Sequence, residues 1–314
     1  MGRPSNSAGL DPGSICTTPF VGARVSQVNE NAQRDIPEVA NHTTCKTTMT
    51  MAAVAISSFR VLGVRVDGVQ IPDTIQIIES WIRDSDCSRY VAVTGMHGVS
   101  EAQRDPAFKT ALCAANLIVP DGMPLVWLGR MRGFRNLKRR VYGPELMETF
   151  CRQTGDKYRH FFYGGAPGVA DMLAKVEQKR YGIQIAGTYC PPFRRLTQDE
   201  EHEVQSIIQA AAPDVLWIGL STPKQETWMF EHRHKIAVPV MLGVGAAFDL
   251  NTGRLKQAPA WMRENGFEWF YRLISEPGRL WRRYLLNGSE FVWNVFLEAL
   301  GIKTFEIASN PHDR

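Results

Sequence analysis

The chain has 314 residues, 44% of them hydrophobic and 22% charged, with 36 basic against 32 acidic side chains and a net charge of +4. This composition fits one large domain or two small ones, and excludes a mainly disordered chain, a fibre or a small disulfide scaffold. The basic excess is too mild to imply a nucleic-acid partner, and none is expected, so only local clustering of charge is informative.

In chain order, residues 1–57 read as a tail. They are rich in Ser, Thr, Asn, Gly and Pro and show little periodicity. Such a stretch buries too little apolar surface to offset its ordering entropy. The short apolar run from Met49 to Ile56 can dock on the body, and Met49 or Met51 can equally begin a shorter protein. Residues 58–258 change texture. Short β-branched runs at 60–66, 90–94, 117–119, 160–163, 183–187, 215–219 and 238–244 alternate with helical patterns near 72–84, 99–114, 123–131, 144–153, 167–180, 198–211 and 223–235. Strand and helix repeated this way predict an α/β body, with a mostly parallel sheet covered by helices. Residues 259–314 are aromatic, basic and helical, and read as an appendage. No run of about 18 uncharged apolar residues and no secretory signal occur, so no membrane-spanning helix is expected. Six cysteines lie scattered at positions 16, 45, 87, 113, 151 and 190 without a C-x-x-C pair, which predicts cytosolic thiols and no structural metal.

Ligands of open α/β sheets bind beyond the carboxyl ends of the strands, so the chemistry is sought in those loops. Thr94, between a strand and two glycines, suits close ligand approach or simply a helix cap, and His97 alone suits a structural role. Asp121 follows the next strand, where a carboxylate can take a proton from a hydroxyl or can cap the helix behind it. Gly164 and Gly165 precede Pro167, which is expected at the first helical position of a phosphate-compatible turn. Thr222 to Gln225 fits a capping box with Pro223 at its first turn, while Lys224 and the free N–H groups there favour a diphosphate. Gly245, Phe248 and Asp249 follow a buried strand, where small residues accept a flat ring or ribose and Asp249 can hold hydroxyls or a base edge; a plain turn is the alternative.

Two stretches are basic. Arg130 to Arg140 carries six positive charges and no acid, as solvated loops commonly do. From Phe267 to Tyr284, Phe267, Phe270, Tyr271 and Ile274 form a stripe at i, i+3, i+4, i+7 spacing, and Arg272, Arg279, Arg282 and Arg283 accompany it and the stripe that follows. Pro277-Gly278 should divide the segment into two helices. Apolar stripes with arginines suit an anionic membrane surface or a phosphate, or a helix packed on its own domain with arginines outward.

Pro120-Asp121-Gly122, Arg140-Val141-Tyr142-Gly143, residues 161–168, Ser221-Thr222-Pro223-Lys224-Gln225-Glu226, residues 243–249 and Glu268-Trp269 to Arg272 occur in this order. As an ordered set over roughly residues 59–286 they resemble the WecG/TagA/CpsF family of bacterial glycosyltransferases, glycosyltransferase family 26. The resemblance implies a Rossmann-like sheet and an inverting, metal-independent enzyme. Such an enzyme moves a hexose or N-acetylhexosamine from a UDP-sugar to a sugar on a polyprenyl diphosphate, in cell-surface or exopolysaccharide biosynthesis. It implies no cofactor and no metal. It also implies a cytoplasmic protein held peripherally on the inner face of the plasma membrane. A homo-oligomer stays open.

By the same resemblance Asp121 is the general base and Thr94 lies beside it in the donor pocket. Gly164, Gly165, Gln225, Gly245, Phe248 and Asp249 hold the nucleotide sugar, and Arg272, Arg279 and Arg282 hold the acceptor and diphosphates. Many members carry Thr-x-Asn at the first loop, whereas this chain has Thr94-Gly95-Met96-His97. His97 is then the substitute for the missing asparagine, and the donor stays open between N-acetylmannosamine, glucose and another hexose. The competing reading from another class is a non-catalytic nucleotide-binding partner in a polysaccharide synthesis complex.

Overall fold

The strands of the body are apolar on both faces, and the burial pattern shows why. In β3 (Arg89–Thr94), Val91 and Val93 face one core while Tyr90 and Ala92 face another. The same alternation runs through β4 (Leu117–Pro120), β7 (Val215–Gly219) and β8 (Val240–Gly243). Strands buried on both sides belong to a sheet with helices on each face. The computed structural model, which describes residues 56–85, 87–281, 285 and 287–306, has that architecture. The expected tail lies outside the described residues except for Ile56 and Ser57.

With β5 (Arg159–Gly164) and β6 (Gln184–Tyr189), the strands form a six-stranded sheet in the order β4-β3-β8-β7-β5-β6. Every pairing in it is parallel. One face is covered by α2 (Met96–Arg104), α3 (Pro106–Cys113), α7 (Gln198–Ala211) and α8 (Lys224–His232). The other is covered by α1 (Ile71–Asp84), α5 (Gly143–Thr154), α6 (Val169–Tyr181) and α9 (Ala247–Asn251). Connections stepping toward the β4 edge carry their helices on the first face. The step from β5 to β6, and α5 on the way from β4 to β5, use the second. That is the arrangement a single crossover hand requires. The sheet and its helical cover are therefore the α/β architecture expected of the sequence.

Two expected elements differ. The strand expected over 60–66 is a hairpin of β1 (Ser58–Val61) and β2 (Val64–Asp67). Leu62 and Gly63 turn it with φ of 50° and 78°, the double left-handed geometry that matches strand twist. Asp67 then accepts from the Ile118 N–H at 2.7 Å, covering the exposed edge of β4. The helix expected over 99–114 is split into α2 and α3. Pro106 lacks the N–H needed to continue, and the Asp105 side chain caps the new start by accepting from Ala107 and Phe108.

Beyond residue 258 the described residues hold only helices: α10 (Ala260–Glu264), α11 (Glu268–Ser275), α12 (Pro277–Trp281) and α13 (Asn287–Ala299). The expected break at Pro277 is present between α11 and α12. α13 buries Phe291 in the core beside α2, yet Val292, Trp293 and Phe296 remain exposed, as do Trp261, Phe267 and Phe270.

Candidate active site

The β3–β4 end of the sheet's carboxyl edge is built by tight backbone approaches. Thr94 ends β3 and Asp121 follows β4, and the Asp121 N–H donates to the Thr94 carbonyl at 2.7 Å. That bond holds the backbones of the two loops together at the carboxyl ends of β3 and β4. Gly95 makes the approach possible, since a Cβ there would lie 2.4 Å from the Asp121 carbonyl oxygen. Neither side chain is used as a cap. The N-cap of α2 is Gly95, and the N-cap of α4 (Met123–Met131) is Gly122 at φ 149°. Thr94 is 1% exposed, and its hydroxyl has no hydrogen-bond partner among the described residues. A Cβ on Gly98 would fall 2.1 Å from that hydroxyl and 3.8 Å from Thr222 Cγ2, so the loop after β7 reaches the same point. Asp121 is half-buried.

The loops after β7 and β8 are tied together by one side chain. Gln225, 2% exposed in α8, accepts from the Gly245 N–H at 3.0 Å and donates to Glu226 at 3.1 Å. The Glu226 carboxylate also accepts from the Thr222 hydroxyl at 2.8 Å. The expected capping box is therefore not formed. Thr222 serves Glu226, and the N-cap of α8 is Pro223. Ser221 sits at φ 64°, a left-handed conformation that costs a non-glycine residue on the order of 1 kcal/mol or more. Phe248 is 1% exposed and meets Phe162 edge-on at 5.9 Å, so it forms the floor beneath the glycine turns. Its ring atoms would lie about 3 Å from a Cβ on Gly219, which keeps that position bare.

A third group comes from far along the chain. Residues 140–142 run extended beside β4, with the Val141 N–H donating to the Pro120 carbonyl at 2.8 Å. Alternate residues of an extended segment share a side, so buried Val141 faces the core while Arg140 and Tyr142 face the other way. There they meet Glu268, the first residue of α11. The Tyr142 hydroxyl donates to Glu268 Oε1 at 2.7 Å, and Arg140 Nη2 bonds Oε2. The Arg140 guanidinium lies 4.1 Å from the centre of the Tyr142 ring. Burial works against the Arg140 charge, but the carboxylates of Asp121 and Glu268 outweigh it and raise its pKa. Burial, then the Glu268 charge, pushes the Tyr142 hydroxyl up, so it stays a donor.

The family model described as "Glycosyl transferase WecG/TagA/CpsF family" matches residues 59–304. The chain belongs to this family. Two relatives carry the name N-acetylglucosaminyldiphosphoundecaprenol N-acetyl-beta-D-mannosaminyltransferase. The protein of Bacillus spizizenii is 29% identical over 218 residues, covering 69% of this chain and 82% of its own length. That of Bacillus subtilis is 29% identical over 233 residues, covering 74% and 88%. Membership makes the chain a glycosyltransferase and sets aside the reading of a non-catalytic partner.

The remaining expected residues of this glycosyltransferase distribute unevenly. Gly164 and Gly165 take φ of 121° and 76° after β5. A Cβ on Gly164 would lie 2.8 Å from the Gly219 carbonyl, so this glycine serves strand packing. The helix behind them starts at Val169, not Pro167, because Gly168 at φ 80° supplies the cap. Asp249, in α9, pairs with Arg254 at 3.4 Å. His97 is half-buried in the first turn of α2. Met96, at the position where many members carry asparagine, points its methyl to the α13 glycine, with 3.6 Å to a Cβ built on Gly288. Arg272 is half-buried in α11 and makes no ion pair among the described residues. Arg282 and the Arg279 side chain lie outside the described residues. Among the described residues no three His, Cys, Asp or Glu side chains cluster to hold a metal ion, and no helix is long and apolar enough to cross a membrane.

Arg140, Tyr142, Glu226 and Glu268 were not among the expected site residues. The available signal was the alternation of Arg140 and Tyr142 about an apolar valine, but their partner is 128 residues away from Arg140.

Proposed function

We propose that this glycosyltransferase works by a single inverting displacement, with Asp121 as the base. The acceptor hydroxyl oxygen bonds to the anomeric carbon of the donor, the bond from that carbon to the UDP phosphate oxygen breaks, and the proton passes to the Asp121 carboxylate. UDP leaves with the electron pair. The observation that carries the reading is the 2.7 Å bond from the Asp121 N–H to the Thr94 carbonyl. It fixes Asp121, half-buried, at the carboxyl edge of a parallel sheet, where substrates of such folds lie.

The donor is a UDP-hexose or UDP-N-acetylhexosamine. The relatives' name supports an acceptor whose sugar is carried on a polyprenyl diphosphate. Gln225 acts by holding the Gly245 loop in register for the nucleotide. Departing negative charge is met by helix N-termini at the sheet edge and by arginines such as Arg272, without a metal ion. The exposed apolar side chains Trp261, Phe267, Phe270 and Ile274, beside cationic residues, support peripheral binding to an anionic membrane surface.

The test is transfer. The purified protein is incubated with UDP-sugars, in turn, and a short-chain polyprenyl-diphosphate N-acetylglucosamine, with and without EDTA. Disaccharide of inverted anomeric configuration, formed with EDTA present, is expected. Retention of configuration, or activity abolished by EDTA and restored by a divalent cation, would contradict the mechanism.

A further inference from the structure

We infer that Glu268 is a positioning residue, fixing Arg140 and Tyr142 beside Asp121 so that the base is set only when α11 is seated on the body. The inference rests on the reading of Asp121 given above. Its geometry is independent of that reading. Each oxygen of the Glu268 carboxylate has its own partner, Tyr142 on Oε1 and Arg140 on Oε2. The partners are themselves stacked, and the Val141–Pro120 bond fixes them one residue from Asp121. The ion pair is nearly dry, with side-chain exposures of 15% for Arg140 and 9% for Glu268. A dry pair has no half-formed state of low energy, because Glu268 without Arg140 is a buried carboxylate lacking its cation. Glu268 is also the first residue of α11. Seating α11 and fixing Arg140 are therefore one event.

The charges give the inference a sign. Arg140 interacts favourably with Asp121 as well as with Glu268. A cation held in that place favours the ionised carboxylate that accepts the proton. Without Glu268 the guanidinium has lost its dry counter-ion, and its long side chain can carry it to water. Asp121 then loses the cation beside it.

The experiment measures kcat, KM for the donor and the pH profile of kcat/KM in E268Q, with D121N and Y142F alongside. For E268Q, kcat is expected to fall about tenfold or more while donor KM changes less than about threefold, the signature of an interaction that matters in the transition state. The acidic limb of the profile should move to higher pH. Y142F frees one oxygen of Glu268 and so loosens its hold on Arg140, and should move both readouts in the same direction by a smaller amount. An acidic limb that stays put or moves to lower pH in both variants overturns the inference, as does wild-type kcat in E268Q. If E268Q does not fold, Y142F alone decides by the same limb. D121N separates the two claims. Full turnover in D121N removes the base itself, whereas an inactive D121N with wild-type E268Q removes only the role of Glu268.

Discussion

The β3–β4 and β7–β8 parts of the sheet's carboxyl edge use their polar side chains in opposite ways. At the β3–β4 edge, Thr94 is buried with its hydroxyl unpartnered among the described residues, and Asp121 does not cap the helix behind it. At the β7–β8 edge, Gln225, Glu226 and Thr222 are joined in one hydrogen-bonded set that fixes the Gly245 loop. An unpartnered buried hydroxyl costs about 1–3 kcal/mol, and a formed hydrogen bond contributes about 1 kcal/mol. The bare Thr94 hydroxyl therefore costs the fold stability, whereas the hydrogen bonds at the β7–β8 edge contribute to it. On the proposed mechanism the first half carries the chemistry and the second supports it.

The comparison breaks most visibly at Gly95. In G95A the new methyl meets the Asp121 backbone oxygen at 2.4 Å, and backbone on both sides cannot yield as a flexible side chain would. Thermal unfolding should show a loss of about 1–3 kcal/mol, and steady-state rates a loss of about 100-fold or more from displacement of Asp121. T94V sharpens the contrast. It keeps the shape and deletes the hydroxyl, so kcat should fall about tenfold or more while the melting temperature holds or rises. A T94V protein both slower and markedly less stable would show that the hydroxyl serves the fold.

Q225A should behave in the opposite way. Loss of the clamp is expected to cost about 1–3 kcal/mol of stability, and to raise donor KM more than it lowers kcat. A Q225A protein with wild-type melting and donor KM would place support elsewhere. The smallest effect is on stability alone and lies beneath the second half. Glu177 in α6 is fully buried, and burial raises its carboxyl from the ordinary value to about 7, with Glu148 adding to the rise. The folded state thus disfavours its ionised form. The penalty is absent below the unfolded value, grows as pH rises toward 7, and is complete above it. E177Q should therefore unfold at higher temperature than wild type at pH 8, by about 1–3 kcal/mol, with the gap closing toward pH 5. An equal gap at both pH values would refute this.

Most of the sheet was legible because burial on both faces leaves unmistakable short apolar runs between helical patterns. Where the sequence misled, local geometry decided. The β-branched run around Leu62 and Gly63 concealed a hairpin, because only the backbone angles of those two residues break it. Pro167 and Thr222 looked like helix-start residues, but left-handed Gly168 and Ser221 reorganised both turns. The position of Thr94 and Asp121 at strand ends was legible, because short apolar runs end just before them. Arg140, Tyr142 and Glu268 stood in the motifs that carried the resemblance, but their pairing was not legible, since the contacts span 126 and 128 residues.

The central claim is that the side chain of Asp121 takes the acceptor proton. The most direct measurement is a single-turnover transfer assay on D121N at saturating donor, with UDP affinity determined by calorimetry on the same preparation. A loss of about 10²–10⁴-fold in the transfer step with unchanged UDP affinity is expected. Transfer at the wild-type rate with that affinity intact would contradict the account.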